Sequence, residues 1–217
     1  MISVIIPTLN SAPYLARTLA PLIAGVAQGV VREAIIVDAG SSDDTIEIAE
    51  AAGCDIVKSG PGRARQLIVG ANAARGEWLL FLHADTSLAP GWVEEAQRFM
   101  SRPGAQSRAA AFRFALDDDS AEAQRVVSWT RFRGGVLKLP CGEQGMLISR
   151  RLYDMLGGYH QMEALEDIDL ARRIGPKRIV FLETDAISSA ERFQQEGYAR
   201  RAWSDFVRIA RYRMGGG

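Results

Sequence analysis

Apolar residues fall first into short unbroken runs and then into helical spacings. Ser3-Val4-Ile5-Ile6-Pro7 is a β-branched run closed by proline, which predicts a buried strand. From Pro13 to about Gln28, Leu15, Leu19, Leu22 and Ile23 recur at helical spacing, with Pro13 suited to a first turn. Glu33 to Val37 predicts a second strand, stopping at the turn-rich Asp38-Ala39-Gly40-Ser41-Ser42. Ser42 or Asp43 can cap a helix running to about Ala52. Asp55 to Val57 predicts a third strand, Ser59 to Gly62 a loop, and Arg63 to about Ala74 a helix. Trp78 to Leu82 predicts a fourth strand, ending at His83-Ala84-Asp85. Strands alternating with helices describe βαβ units and a parallel sheet. Strands apolar at every position belong to a sheet covered on both faces.

The pattern then becomes mixed. Pro90-Gly91-Trp92 opens a helix to about Met100, and Ala109 to Leu116 reads as a strand. Asp117-Asp118-Asp119 would cap a helix to about Phe132, and Gly134-Gly135 would begin an irregular stretch to Gly145. Met146 to Ile148 reads as a strand, and Arg150 to Leu156 as a helix closed by Gly157-Gly158. Glu166 to Arg173 predicts a short helix, Ile179 to Leu182 a strand, and Glu191 to about Met214 a last helix. The class is α/β with a mostly parallel central sheet. It reads as one domain over 1–217, with no linker to divide it.

Composition adds limits. In 217 residues, 26 Lys+Arg balance 26 Asp+Glu, and 47% are hydrophobic. That excludes a disordered chain and argues against a whole-surface nucleic-acid binder. Cys54 and Cys141 have neither zinc nor disulfide spacing, so they read as small buried or half-buried residues in a reducing compartment. Met1-Ile2-Ser3 has no basic leader, and no run of apolar residues is long enough to span a bilayer. The expected location is cytoplasmic.

Ligands of open parallel sheets gather at the carboxyl ends of the strands. Those ends carry Pro7-Thr8, Asp38, the Gly60 to Arg65 loop and His83 to Asp85. Carboxylates there can accept from a base or ribose or hold a divalent metal, and arginines can pair with phosphate. Each residue also has an ordinary explanation: Asp38 as a turn residue, Arg63 and Arg65 as solvated surface. Glu163, Glu166, Asp167 and Asp169 form a second cluster. Spacing three and four apart puts the first three on overlapping helical faces, where crowding suits a general base. A solvated helix start, with Asp169 pairing Arg173, explains the same residues. P-loop, dinucleotide, nucleophile-elbow and His-Glu-x-x-His signatures are absent.

Val4-Ile5-Ile6-Pro7-Thr8-Leu9-Asn10, Ile36-Val37-Asp38-Ala39-Gly40-Ser41-Ser42-Asp43, Ala74-Arg75-Gly76-Glu77-Trp78 through His83-Ala84-Asp85-Thr86, and Glu166-Asp167-Ile168-Asp169 occur in that order. Together, over about residues 2–175, they resemble family 2 glycosyltransferases of the GT-A fold. The Gly-Arg-Ala-Arg-Gln, His-Ala-Asp-Thr and Gly-Glu-Gln-Gly segments resemble a small bacterial subgroup labelled radical-SAM-, selenodomain- or arsenosugar-associated. The resemblance implies an inverting transfer of a sugar from a UDP- or GDP-sugar to an acceptor hydroxyl. It implies donor contacts at Pro7, Thr8, Asp38, Arg63, Arg65, Ala84 and Asp85, with Mn²⁺ or Mg²⁺ on Asp85. It implies Asp167 as the base, with Gly142, Glu143, Gln144 and Glu166 on the acceptor side. Residues 1–90 would form the donor half, 91–190 the acceptor half, and 191–217 a carboxyl-terminal helix.

Three departures bear on the donor and the metal. Ser11 stands where the family has Glu, Ala39 where it has Asp, and His83 at the first Asp of Asp-x-Asp. His83 is either a metal ligand, better suited to manganese or zinc than magnesium, or a partner of phosphate or water. Acceptor pockets would come from Phe132 to Gly145 and the segment around Tyr159 to Leu165. The last helix carries Arg200, Arg201, Arg208, Arg211 and Arg213 beside Trp203 and Phe206. It packs on the domain, meets anionic lipid at the inner membrane, or forms a homodimer. Arg192, at its start, could reach the diphosphate. Two alternatives stand beside a transferase: a non-catalytic nucleotide-sugar-binding protein, favoured by His83 and Ala39, and a sugar-phosphate nucleotidyltransferase. The second wants a Gly-rich loop and lysine, which Asn10-Ser11-Ala12-Pro13 does not supply.

Overall fold

The computed structural model describes residues 1–137, 139–198 and 200. Its first part alternates as expected: β1 (Ile2–Thr8), α1 (Ala12–Leu19), α2 (Leu22–Ala27), β2 (Val31–Asp38), α3 (Thr45–Ala51), β3 (Asp55–Lys58), α4 (Arg63–Ala73) and β4 (Trp78–Phe81). β1 runs parallel to β2 and β4, and β2 parallel to β3. Then follow β5 (Thr86–Leu88), α5 (Trp92–Met100), β6 (Ala109–Leu116), α6 (Ala121–Leu137), β7 (Met146–Ser149), α7 (Arg150–Met155), α8 (Glu166–Ile174), β8 (Ile179–Ser188) and α9 (Glu191–Glu196). The strands form one sheet in the order β3-β2-β1-β4-β7-β6-β8-β5. β7 is antiparallel to both neighbours, β6 and β8 are parallel, and β5 closes the edge antiparallel to β8.

Alternate residues of β1 explain its unbroken apolar run. Val4 and Ile6 pack with Leu15 of α1 and Trp92 and Phe99 of α5. Ile5 points the other way, into a layer with Leu67 of α4, Leu152 of α7 and Ile168 of α8. Both faces are therefore dry, and burying each such side chain contributes about 1.5–3 kcal/mol. Gly70 lets α4 lie close: a Cβ there would overlap the Ile5 side chain and sit 2.8 Å from a Val37 methyl.

Several expectations are corrected. The single helix from Pro13 to Gln28 is two, because Pro21 has no N–H for the helical ladder. The Pro21 carbonyl accepts from the Trp92 indole N–H at 3.0 Å. Gly134-Gly135 does not end α6, which continues to Leu137; Gly134 packs against the Phe181 ring. The acidic triplet is not its cap. Ser120 accepts from the Ala123 N–H, while Asp117 accepts from the Ala190 N–H and pairs with Arg17. Before α3 it is Asp43, not Ser42, whose carboxylate accepts from the Thr45 N–H. β5 lacked any apolar signature, and β8 runs six residues past Leu182, through polar Glu183 to Asp185. Glu163 precedes α8, so it shares no helical face with Asp167. Beyond α9, which stops at Gly197 (φ 84°), the expected helix to Met214 lies outside the described residues from 201 onward, and with it Arg201, Arg208, Arg211 and Arg213.

Candidate active site

The parallel register sets Thr8 beside Asp38. The Thr8 hydroxyl donates to Asp38 Oδ1 at 3.1 Å, and the Ser41 hydroxyl to the same oxygen at 2.5 Å. Oδ2 accepts from the backbone N–H groups of Gly40 and Ser41 at 2.8 and 2.9 Å. Burial raises the Asp38 pKa, but the Ser41, Gly40 and Thr8 bonds outweigh it and hold the carboxyl below its usual range. Four donors use the lone-pair capacity of a carboxylate, so Asp38 shapes the loop after β2 rather than presenting a bare acceptor. Asn10, at φ 50°, ties the loop after β1 to it, accepting from the Ser42 N–H at 2.9 Å. Ser11, in the place of the family's Glu, donates its N–H to Thr45 at 2.8 Å. Gln66 of α4 is buried here and donates to the carbonyls of both Thr8 and Val37. Nothing in its spacing singled it out.

Past β4, two bonds to backbone carbonyls pin the chain: the Thr18 hydroxyl donates to the Ala84 carbonyl at 2.7 Å and the Ser189 N–H to the Asp85 carbonyl at 3.0 Å. His83 Nδ1 lies 3.9 Å from Asp85 Oδ1 and 3.3 Å from Arg63 Nη2. Burial, with the charges of Arg63 and then Arg192, keeps His83 neutral, far below the ordinary imidazole range. Arginine can only donate, so Nδ1 accepts and the ring proton sits on Nε2. That atom is buried with no hydrogen-bond partner among the described residues. The field of exposed Arg192 reaching His83 places α9 on this side of the molecule.

Arg63 opens α4 after Gly62 (φ 115°), and α8 opens after Leu165, a non-glycine residue at φ 67°. From distant parts of the sequence, Arg63 Nε meets Glu166 Oε1 at 3.1 Å and Nη2 meets Asp167 Oδ2 at 3.5 Å. Tyr159 donates to Asp167 Oδ1 at 2.9 Å. Gly142 fills the space between: a Cβ there would overlap Asp167 Oδ2, His83 Nε2 and Arg63 Nη2. Arg63, His83, Gly142, Glu166 and Asp167 thus come together, with Asp85 beside His83. Arg65 does not join them; it is exposed and folds back over Gly60. Gln144 also turns away, donating from its buried amide to the Phe112 carbonyl at 3.0 Å, which anchors the turn carrying Gly142 and Glu143 to β6. Asp169 faces Arg173 and His160, as the i+4 pairing suggested. Pro7 lies within β1 opposite Val37. Neither Cys54 nor Cys141 is in a disulfide among the described residues, and burial pushes the Cys54 thiol up to about 11.

The model of Glycosyl transferase family 2 matches residues 3–145, and the chain belongs to that family. It is an enzyme, a glycosyltransferase. Among solved structures it is similar to glucosyl-3-phosphoglycerate synthase of Mycobacterium tuberculosis in complex with Mn²⁺, uridine diphosphate and glucosyl-3-phosphoglycerate. That likeness has 21% identity and a TM-score of 0.60, over 85% of this chain and 70% of that one. The same enzyme with Mn²⁺ and UDP-glucose gives 21% and 0.61, over 85% and 69%. Residues 1–349 of S. aureus TarS give 16% and 0.63, over 87% of this chain and 60% of that one. The shared fold is GT-A: a curled mixed sheet flanked by helices. No curated protein matches the sequence. The family match stops short of α8, so Glu166 and Asp167 stand on geometry and on their own motif.

Proposed function

We propose that the chain transfers a sugar from a nucleoside-diphosphate sugar, carried by uridine or guanosine, to an acceptor hydroxyl with inversion. One observation carries the reading: Asp167 from α8, Arg63 from α4 and His83-Ala84-Asp85 from the end of β4 converge around Gly142, at the carboxyl ends of the parallel strands. Asp167 takes the acceptor proton as the acceptor oxygen bonds the sugar carbon. The bond from that carbon to the diphosphate oxygen breaks, and the diphosphate leaves on the opposite face. Arg63 turns to the leaving diphosphate, and Arg192 reaches it from α9. Residues 1–90 hold the donor and 91–190 the acceptor. The His-Ala-Asp-Thr and Gly-Glu-Gln-Gly segments support membership of the small bacterial subgroup they resemble.

The donor set suits a magnesium- or manganese-like ion. No group of three His, Cys, Asp or Glu ligands occurs among the described residues. Such ions, however, bind through one or two carboxylates plus substrate phosphates and water. Asp85 would hold the ion, with His83 Nδ1 facing it, and the ion would neutralise charge on the diphosphate. The manganese and uridine nucleotide in the mycobacterial synthase complexes support this reading.

The test is thermal unfolding with UDP-glucose, UDP-N-acetylglucosamine and GDP-mannose, each with Mn²⁺, Mg²⁺ or chelator. A ligand at 100 times its Kd stabilises by about 2.7 kcal/mol. A metal-dependent rise in Tm with one donor is expected. No rise with any donor under any metal contradicts the reading.

A further inference from the structure

The two oxygens of Asp167 are held differently. Oδ1 accepts from the Tyr159 hydroxyl at 2.9 Å, while Oδ2 faces Arg63 and the bare backbone of Gly142. We infer that Tyr159 is the positioning residue of the base: its hydroxyl fixes Oδ1, so that Oδ2 is the oxygen presented to the acceptor hydroxyl. The inference rests on Asp167 being the base.

The route that delivers Tyr159 is built for it. α7 ends in Gly157 (φ 77°) and Gly158 (φ 66°), whose N–H groups return to the carbonyls of Asp154 and Tyr153. A Cβ on Gly158 would lie 2.8 Å from the Tyr153 ring, so the chain passes under that ring only as glycine. The Tyr159 N–H then donates to the Tyr153 hydroxyl at 3.1 Å. The Tyr159 ring is buried, edge-on to Phe81 at 4.9 Å between centroids and 6.0 Å from Tyr153. Phe81 ends β4, two residues before His83, so one strand braces the base and carries the donor-side residues. A ring so enclosed has one place for its hydroxyl, and that place is the carboxylate. A fixed donor on one oxygen removes rotation of the carboxylate, which is how a base is pre-oriented.

Tyr159→Phe removes the hydroxyl and leaves the ring in place against Phe81 and Tyr153. The test is release of nucleoside diphosphate from the donor together with donor affinity by calorimetry, for wild type, Tyr159→Phe, Asp167→Asn and the double variant. Tyr159→Phe is expected to lower turnover about tenfold with donor Kd within a few-fold of wild type, and to cost nothing further on the Asp167→Asn background, as expected of a residue that acts through the carboxylate. Wild-type turnover in Tyr159→Phe overturns the inference, and so does an equal loss on the Asp167→Asn background. Should Tyr159→Phe fail to fold, a Tyr159 phenolic-carbon NMR shift identical in wild type and Asp167→Asn overturns it. Turnover retained by Asp167→Asn would instead sink the base reading and the inference with it.

Discussion

Arg63 is the residue on which the site turns. Its guanidinium meets buried Glu166, Asp167 and His83 at once, and burial is outweighed by the two carboxylates, so it stays charged. One consequence falls on His83. Its folded pKa is depressed while the unfolded imidazole titrates near 6.5. Below pH 6.5 the unfolded chain binds the proton and the folded chain does not. Stability is therefore lost as pH falls, by up to about 1.4 kcal/mol per pH unit. Urea melts from pH 7 to 5 should show this slope in wild type and a shallower one in His83→Gln; equal slopes would mean that His83 protonates normally in the fold. Asp38, Asp85, Asp167 and Arg63 were legible in the sequence because they sit in ordered motifs at strand and helix ends. The Tyr159 bond to Asp167, the Gln66 clamp and the bare face of Gly142 were not, since each is a contact between distant segments. Gly157-Gly158 ahead of a tyrosine was the only local trace of the first.

At the scale of elements, α4 must lie close to β1 and β2 for Arg63 and Gln66 to reach the strand ends, and Gly70 permits it. Gly70→Val should destabilise the protein by about 1–3 kcal/mol, through overpacking against Ile5 and Val37. It should also weaken donor binding by displacing the α4 N-terminus. Denaturant unfolding checks the first part and calorimetric titration of the donor the second; a variant as stable as wild type would show that α4 is not held by this contact. The apolar strands and α4, α5 and α7 could be read from periodicity. The break at Pro21 was written in the sequence but masked by Leu22 and Ile23 continuing the helical spacing. α6 runs through two glycines because packing against Phe181 overrides their poor propensity. β5 and the polar end of β8 had no signature, because they gain their order from pairing with each other. Glu95 adds to this by accepting from the N–H groups of Glu183 and Thr184.

Across the whole molecule, one sheet runs from the parallel strands β3, β2, β1 and β4 through antiparallel β7 to β6, β8 and β5. The candidate base comes from the chain beyond β7. Its distance in sequence from Arg63 and Asp85 is why alternation alone located the strand-end residues but not the completed cluster. No helix among the described residues is long and apolar enough to cross a membrane. The claim that joins the two sides is that Asp167 acts on a donor held by the strand ends. The direct measurement is donor affinity by calorimetry together with release of nucleoside diphosphate, for wild type and Asp167→Asn. Removal of a general base should cost about 10²–10⁴-fold in turnover while donor Kd stays within a few-fold of wild type. Turnover at the wild-type rate in Asp167→Asn, or loss of donor binding equal to the loss of turnover, would contradict it.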